Sequence, residues 1–189
     1  MSLLMFTAHR ACPWVGVTAC GLICLVLQTD PGRAEEFRLE SMGLRAGISA
    51  NGGRNEFHQA EAFANWNLPW GWDLGKEWHL QSQLDLSGGW LTDRKDDAAI
   101  GTLGPGLILS RARLLVSLDG GVSPTVLSHY DFESRDFGTY IQFTTHVGLN
   151  WDFAAHWRVG YRFEHMSNAD LASPNRGLNM HMLVLGYVF

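Results

Sequence analysis

Apolar and polar residues alternate with a period of two along most of the chain after residue 37. From Trp78 to Trp90, for example, the leucines fall on one side and the glutamines on the other. Successive side chains of a strand point to opposite faces, so each such segment predicts a strand with one apolar and one polar face. The predicted strands cover residues 38–50, 56–67, 78–90, 98–109, 113–127, 137–150, 157–167 and 179–189.

The stretches between these strands have the chemistry of turns and loops. They are the Gly- and Asn-rich turn 51–55, the break 69–76, the charged loop 92–97, the tight turn 110–112 and the polar loop 128–136. Eight strands of this length suit the smallest common outer-membrane barrels, whose strands span the bilayer with about 9–11 residues. The pattern therefore predicts an all-β chain that closes into an eight-stranded antiparallel up-and-down transmembrane β-barrel.

The last strand has a distinctive end. Leu183, Leu185, Tyr187 and the terminal Phe189 fall on one face. Apolar residues at every second position before a terminal Phe resemble the assembly signal of bacterial outer-membrane barrels. An ordinary buried strand is the alternative. A soluble lipocalin-like barrel also stays open, because the pattern does not show which face points inward.

The first 34 residues predict a cleaved signal peptide. Arg10 precedes an apolar run from Ala11 to Leu27, and Gly32 and Ala34 offer a small-x-small cleavage site. We expect cleavage after Ala34, which leaves residues 35–189 as the barrel. The run is short for a transmembrane anchor. A lipoprotein box ending at Cys20 is a further alternative, although apolar sequence continues beyond it. All three cysteines lie in this segment.

Composition narrows the classes of function. The formal net charge of −5 argues against a nucleic-acid partner, which needs a basic face. His129, His146 and His156 are scattered and do not build an ordinary metal-ligand set. We therefore expect neither a metal nor another cofactor.

A polar cluster between Glu164 and Asn179 is the strongest candidate for chemistry. Strand parity places His165, Ser167, Asn179 and His181 on the apolar, outward face, near the 157–167/179–189 connection. With both chain termini in the periplasm, this connection is extracellular. Polar residues on a lipid-facing surface are costly, and a His beside a Ser suits a base that activates a nucleophile. The alternative is turn chemistry at an interfacial strand end.

The motif His165-x-Ser167-Asn168-Ala169, followed by Pro174-Asn175-x-Gly177, resembles the PagL-type lipid A 3-O-deacylases. These are outer-membrane esterases with an eight-stranded barrel. The resemblance implies that Ser167 is the nucleophile and His165 its base. The orienting Glu of the family falls at Asn179, which can hold an imidazole by a hydrogen bond but brings no charge. Glu164 points to the opposite face.

The resemblance also implies a substrate and its contacts. The substrate is lipid A of lipopolysaccharide in the outer leaflet, and the other partner is outer-membrane lipid; a homodimer is one possible assembly. The residues implied in oxyanion stabilisation or substrate binding are Asn168, Ala169, Asn175, Gly177 and Phe143. Two other functions stay open: a non-enzymatic barrel in adhesion or envelope structure, and an acyltransferase acting on lipid A.

Overall fold

The computed structural model describes residues 36–50 and 56–189, and within them one closed barrel of eight strands. Its strands are β1 (Arg38–Ser49), β2 (His58–Leu74), β3 (Trp78–Thr92), β4 (Asp97–Arg111), β5 (Val116–Leu127), β8 (Ile141–Ala154), β9 (Trp157–Ser167) and β10 (Leu178–Val188). The short strands β6 (Asp131–Phe132) and β7 (Arg135–Asp136) form a separate hairpin. Neighbouring strands are antiparallel, and β1 pairs with β10 to close the barrel. The predicted fold is confirmed. The predicted signal peptide and the turn 51–55 lie outside the described residues.

The apolar face of the barrel points outward. Leu183 is 72% exposed whereas its neighbour Met182 is fully buried, and Leu44 is 64% exposed whereas Arg45 is 3% exposed. A water-soluble barrel would reverse this arrangement, so the lipocalin-like alternative is wrong. In the described part of the chain, no helix is long and apolar enough to cross a membrane.

The middle of the barrel lumen holds a network of paired charges. Arg45 Nε lies 2.7 Å from Glu61 Oε1, and Arg162 Nε lies 2.7 Å from Glu164 Oε1. Asp119 adds contacts to His146 and Arg162 at 3.3 and 3.8 Å. Buried charges are costly unless they are paired, and here the arginines and carboxylates lie beside each other on the lumen face of the strands.

The lumen at the end opposite Phe189 is apolar instead. A cluster of buried side chains fills it: Phe57, Leu91, Ala98, Ile100, Leu127, Phe132, Phe137, Met166, Leu178, Met180 and Met182. We call these residues the apolar plug. Phe57, Phe132 and Phe137 pack edge to face, with ring centroids 5.2–5.8 Å apart. This end therefore departs from the polar interior that the alternation predicts.

A small hairpin supplies part of the plug. It consists of β6 (Asp131–Phe132) and β7 (Arg135–Asp136), and it lies in the stretch predicted as an irregular polar loop. The prediction that the following strand begins at residue 137 is also wrong, because Phe137 is buried in the plug and β8 begins at Ile141. The burial of these aromatic rings stabilises the packed hairpin, although most residues of the segment are polar.

Three other predicted boundaries need correction. β2 does not end at Asn67 but continues to Leu74, with an irregularity in the pairing between Asn67 and Gly71. Pro69 lies in that irregularity, where its missing N–H leaves no ladder hydrogen bond unmade. β5 begins at Val116 rather than at residue 113, because Arg113 has φ of 73° and belongs to the turn. β8 ends at Ala154 rather than at residue 150, and the remaining strand ends differ from prediction by two residues or fewer.

Candidate active site

The pairing of β8, β9 and β10 brings four of the predicted site residues together on the outer surface. Asn179 of β10 lies directly opposite His165 of β9, and Phe143 of β8 lies opposite Ser167. His165 is exposed, while Ser167, Asn179 and Phe143 are partly exposed. These residues lie at the barrel end away from Phe189, on the surface that carries the apolar belt.

A hydrogen bond fixes the imidazole of His165. Its Nδ1 lies 2.6 Å from Oδ1 of Asn179. An amide oxygen only accepts hydrogen bonds, so Nδ1 carries the proton and Nε2 keeps a free lone pair. Ser167 follows His165 by two residues in β9 and lies on the same outward face, so its hydroxyl is the nearest nucleophilic group along the chain. This tautomer is the one in which an imidazole can take a proton from a serine.

The other polar residues near this surface are engaged elsewhere. His181 Nδ1 lies 2.5 Å from the hydroxyl of Tyr161, and its ring packs against Phe163. Glu164 is buried in the lumen beside Arg162, on the opposite side of the sheet from His165. His165, Ser167 and Asn179 therefore form a distinct outward group.

Asn168 organises the loop that follows Ser167. Its side chain is fully buried, and its Nδ2 lies 3.0–3.1 Å from the carbonyl oxygens of Phe137, Ala172 and Pro174. Its Oδ1 accepts from the backbone N–H of Asp170 at 2.9 Å. The two amide hydrogens of Asn168 thus have protein acceptors, so this side chain has no free N–H to offer a substrate.

Asn175 is engaged in the same loop. Its Oδ1 accepts from the backbone N–H of Asn168 at 3.1 Å, and its Nδ2 donates to Asp170 at 2.8 Å. Leu171 N–H donates to the carbonyl of Asn168. Among the described backbone groups of residues 168–171, the N–H of Ala169 alone therefore lacks an acceptor. Ala169 and Asp170 have φ of 51° and 63°, a left-handed conformation that is uncommon without glycine.

Gly177 lies against the imidazole. A Cβ atom on Gly177 would lie 2.8 Å from Cε1 of His165, closer than side chains approach each other. The carbonyl of Gly177 accepts a hydrogen bond from Nη1 of Arg135 in the β6–β7 hairpin. Arg135 could not be predicted from the sequence, because 42 residues separate it from Gly177 and no spacing rule joins them.

In residues 36–50 and 56–189, no group of three or more His, Cys, Asp or Glu residues is arranged to hold a metal ion.

Comparisons with known proteins match the chain to one family and to a related barrel. The family model described as "Lipid A 3-O-deacylase (PagL)" matches residues 58–188. The chain is 25% identical to the lipid A deacylase PagL of Bordetella bronchiseptica, over 94% of this chain and 96% of that protein. It also resembles the crystal structure of the outer-membrane enzyme PagL, with a TM-score of 0.61 and 18% identity, over 79% of this chain and 99% of the other.

Proposed function

Because the chain belongs to the lipid A 3-O-deacylase (PagL) family, we propose that it hydrolyses the ester that links a 3-hydroxyacyl chain to position 3 of lipid A. One observation carries the proposal at atomic level. The imidazole of His165, held by Asn179 at 2.6 Å, stands on the lipid-facing surface of the barrel beside Ser167. An enzyme of lipid acyl chains needs its nucleophile at that surface.

The reaction follows from the roles of these groups. The hydroxyl oxygen of Ser167 attacks the ester carbonyl carbon while Nε2 of His165 takes the hydroxyl proton. The tetrahedral intermediate collapses, the bond to the sugar oxygen breaks, and the imidazolium returns the proton to that oxygen. Water, deprotonated by His165, then attacks the acyl-enzyme and releases the 3-hydroxy fatty acid and the free serine.

The negative charge on the carbonyl oxygen needs a donor. Within residues 168–171, the backbone N–H of Ala169, two residues after Ser167, is the available donor, since those of Asn168, Asp170 and Leu171 have acceptors. Oxyanion donors contribute about 100- to 1000-fold in rate. Asn168 and Asn175 support this donor indirectly, because their hydrogen bonds hold the loop in its left-handed turn. Phe143, across from Ser167, offers an apolar surface to the acyl chain.

The site of action follows from the barrel. Its apolar belt suits the outer membrane, and the active site lies at the end opposite the C-terminal Phe189. With that terminus in the periplasm, His165 and Ser167 meet the outer leaflet, where lipopolysaccharide resides. The cleaved segment 1–34 directs export in this proposal.

The test is mass spectrometry of lipid A from cells that express the wild type, Ser167→Ala or Ser173→Ala. Ser173 is an exposed serine of the same loop and serves as the matched control. We expect the wild type and Ser173→Ala to remove one 3-hydroxyacyl mass and Ser167→Ala to lose at least about a thousandfold in rate. Unchanged lipid A with folded wild type would favour a non-enzymatic barrel, and a gain in mass would favour an acyltransferase.

A further inference from the structure

Two arginines meet beside the active-site loop. Arg135 reaches from the β6–β7 hairpin to the carbonyl of Gly177, and its guanidinium also lies 6.0 Å from the ring centroid of Phe57. Arg176 is the residue directly before Gly177, and it is exposed. Since Gly177 touches the imidazole of His165, both cations stand close to the proposed catalytic group.

Neither guanidinium has a carboxylate partner within the described residues. The three buried arginines of the lumen, Arg45, Arg158 and Arg162, are all paired with acids. Arg135 is half-buried and has a carbonyl oxygen but no carboxylate as partner in the described structure, and a charge removed from water without a counter-charge is costly. In a chain with a net charge of −5, this local excess of positive charge is conspicuous.

Two acids of the adjoining loops form no ion pair with these arginines among the described residues and have other hydrogen-bond partners. Asp136 Oδ1 accepts from the backbone N–H of Gly138 at 2.7 Å, and Asp170 accepts from Asn175. Burial in the first place, and the charge of Arg176 in the second, lower the pKa of Arg135. The two arginines therefore act on each other as neighbouring like charges, an arrangement that an anion would relieve.

We propose that Arg135 and Arg176 form a subsite for a phosphate group of the lipid A headgroup. This proposal rests on the proposed function, because lipid A is a phosphorylated glucosamine disaccharide whose acyl esters lie next to its sugar phosphates. A guanidinium binds phosphate through paired N–H donors, and two of them match a doubly charged group. The headgroup would then lie over the loop end while the acyl chain extends along the apolar belt past Ser167.

The subsite gives the enzyme a way to choose among esters. A phosphate held at Arg135 and Arg176 fixes the sugar relative to Ser167, so that one ester carbonyl of several reaches the nucleophile. Fixing a reactant in this way is a substantial part of catalysis. The arginines in this view are binding and positioning residues, and the chemistry stays with His165 and Ser167.

The experiment compares two substrates with the intact protein in detergent micelles. One is lipid A with its phosphates, and the other is the same lipid A after phosphatase treatment. The main variant is Arg176→Gln, because Arg176 is exposed and makes no hydrogen bond or ion pair in the described structure. Arg94→Gln, at an exposed unpaired arginine of the 93–96 loop, is the control for loss of charge at the same barrel end.

We expect dephosphorylation to lower kcat/KM of the wild type and of Arg94→Gln by about tenfold, the value of one charge-assisted hydrogen bond. On phosphorylated lipid A, kcat/KM of Arg176→Gln should be about tenfold lower than that of the wild type, and dephosphorylation of the substrate should change it little. Equal activity of wild type and Arg176→Gln on both substrates would overturn the subsite and leave the deacylase intact. A wild type that cleaves neither substrate would instead refute the proposed function.

A further arm separates the bound headgroup from free phosphate. Excess inorganic phosphate should inhibit the wild type on phosphorylated lipid A by competition, and should inhibit Arg176→Gln less. Inhibition of the wild type by free phosphate, without any dependence on the phosphate of the lipid, would mean a site for free anions and would overturn the proposal.

Discussion

The orientation of His165 depends on a neutral side chain. Oδ1 of Asn179 accepts a hydrogen bond from Nδ1 of His165 at 2.6 Å, so it selects the tautomer that leaves Nε2 free. It brings no negative charge to stabilise the imidazolium that forms in the proposed reaction, when Ser167 loses its proton. A carboxylate at the same place would supply both the hydrogen bond and the charge.

This difference predicts the effect of Asn179→Asp, a change of one atom type with no change in size. We expect kcat on lipid A to rise about tenfold, since a carboxylate stabilises the adjacent imidazolium. Asn179→Leu, which removes the hydrogen bond, should lose activity. The measurement is the rate of fatty-acid release in micelles. If both variants match the wild type, Asn179 has no orienting part and the enzyme works with a Ser–His dyad.

Strand parity alone was enough to place His165, Ser167 and Asn179 on one outward face, because the side-chain period of a strand is two. The hydrogen bonds that Asn168 and Asn175 form within the loop could not be predicted from strand parity. The amide of Asn168 donates to three carbonyl oxygens and that of Asn175 to Asp170, and these bonds depend on the path of a loop with two left-handed residues. Arg135 was missed for a similar reason, since tertiary packing alone brings it to Gly177.

At the scale of elements, the β6–β7 hairpin joins two loops. On one side, Ser134 donates to Asp93 Oδ2 at 2.5 Å and Glu133 N–H donates to Asp96 Oδ2 at 2.7 Å. On the other side, the carbonyl of Phe137 accepts from Asn168, and Arg135 reaches Gly177. The hairpin therefore connects the 93–96 loop with the loop that bears the proposed oxyanion donor.

The first of these contacts predicts a dependence on pH. Desolvation raises the pKa of Asp93, but hydrogen bonds from Ser134 and the backbone N–H groups of Lys95 and Asp96 outweigh it and lower the pKa below 3.8. A lowered pKa means that the contact stabilises the loop fully above the ordinary value and loses its effect as pH falls through the lowered one.

We therefore expect amide hydrogen exchange in residues 131–136, corrected for intrinsic rates, to become faster between about pH 5 and about pH 2. Mass spectrometry of peptides from this segment measures it. Asp93→Asn should exchange faster at both pH values and lose most of the pH dependence. Asp97→Asn, at an exposed carboxylate that begins β4, is the control and should behave as the wild type does. A wild-type hairpin insensitive to pH would contradict the argument.

The barrel strands were predictable as elements because alternation over ten or more residues is a strong signal. The hairpin was not, since two-residue strands carry no period and Ser128 to Asp136 reads as polar. Pro69 likewise ended a predicted strand that in fact continues, because a bulge accommodates a residue without an N–H. Short irregular elements depend on tertiary contacts, which the local sequence pattern does not show.

At the scale of the whole molecule, stability rests partly on charges buried between strands. Glu61 lies 2.7 Å from Nε of Arg45 and accepts a hydrogen bond from Ser87 at 2.8 Å, and both carboxylate and guanidinium are nearly inaccessible to solvent. These contacts join the neighbouring strands β1, β2 and β3 on the lumen face of the sheet. Removing one partner of such a pair leaves an unpaired charge in the interior. This costs more free energy of folding than replacing both partners by apolar residues.

Glu61→Ala should therefore lower the free energy of unfolding by about 3–5 kcal/mol, because Arg45 is left unpaired. The double variant Arg45→Met, Glu61→Met should recover most of that loss, since no charge stays buried. Urea titration of the protein in lipid vesicles, followed by tryptophan fluorescence, measures both. A single variant as stable as the wild type would show that the lumen is well solvated at this position.

The apolar plug has a consequence for the cell that carries the protein. Barrels of eight strands are just wide enough for side chains to fill, and here phenylalanine and methionine side chains occupy one end while ion pairs occupy the middle. We expect such a plugged end to block the passage of ions and bulky solutes. Remodelling of surface lipid by this protein would thus proceed without leakage, and vesicles loaded with a fluorescent dye should retain it when the barrel is inserted.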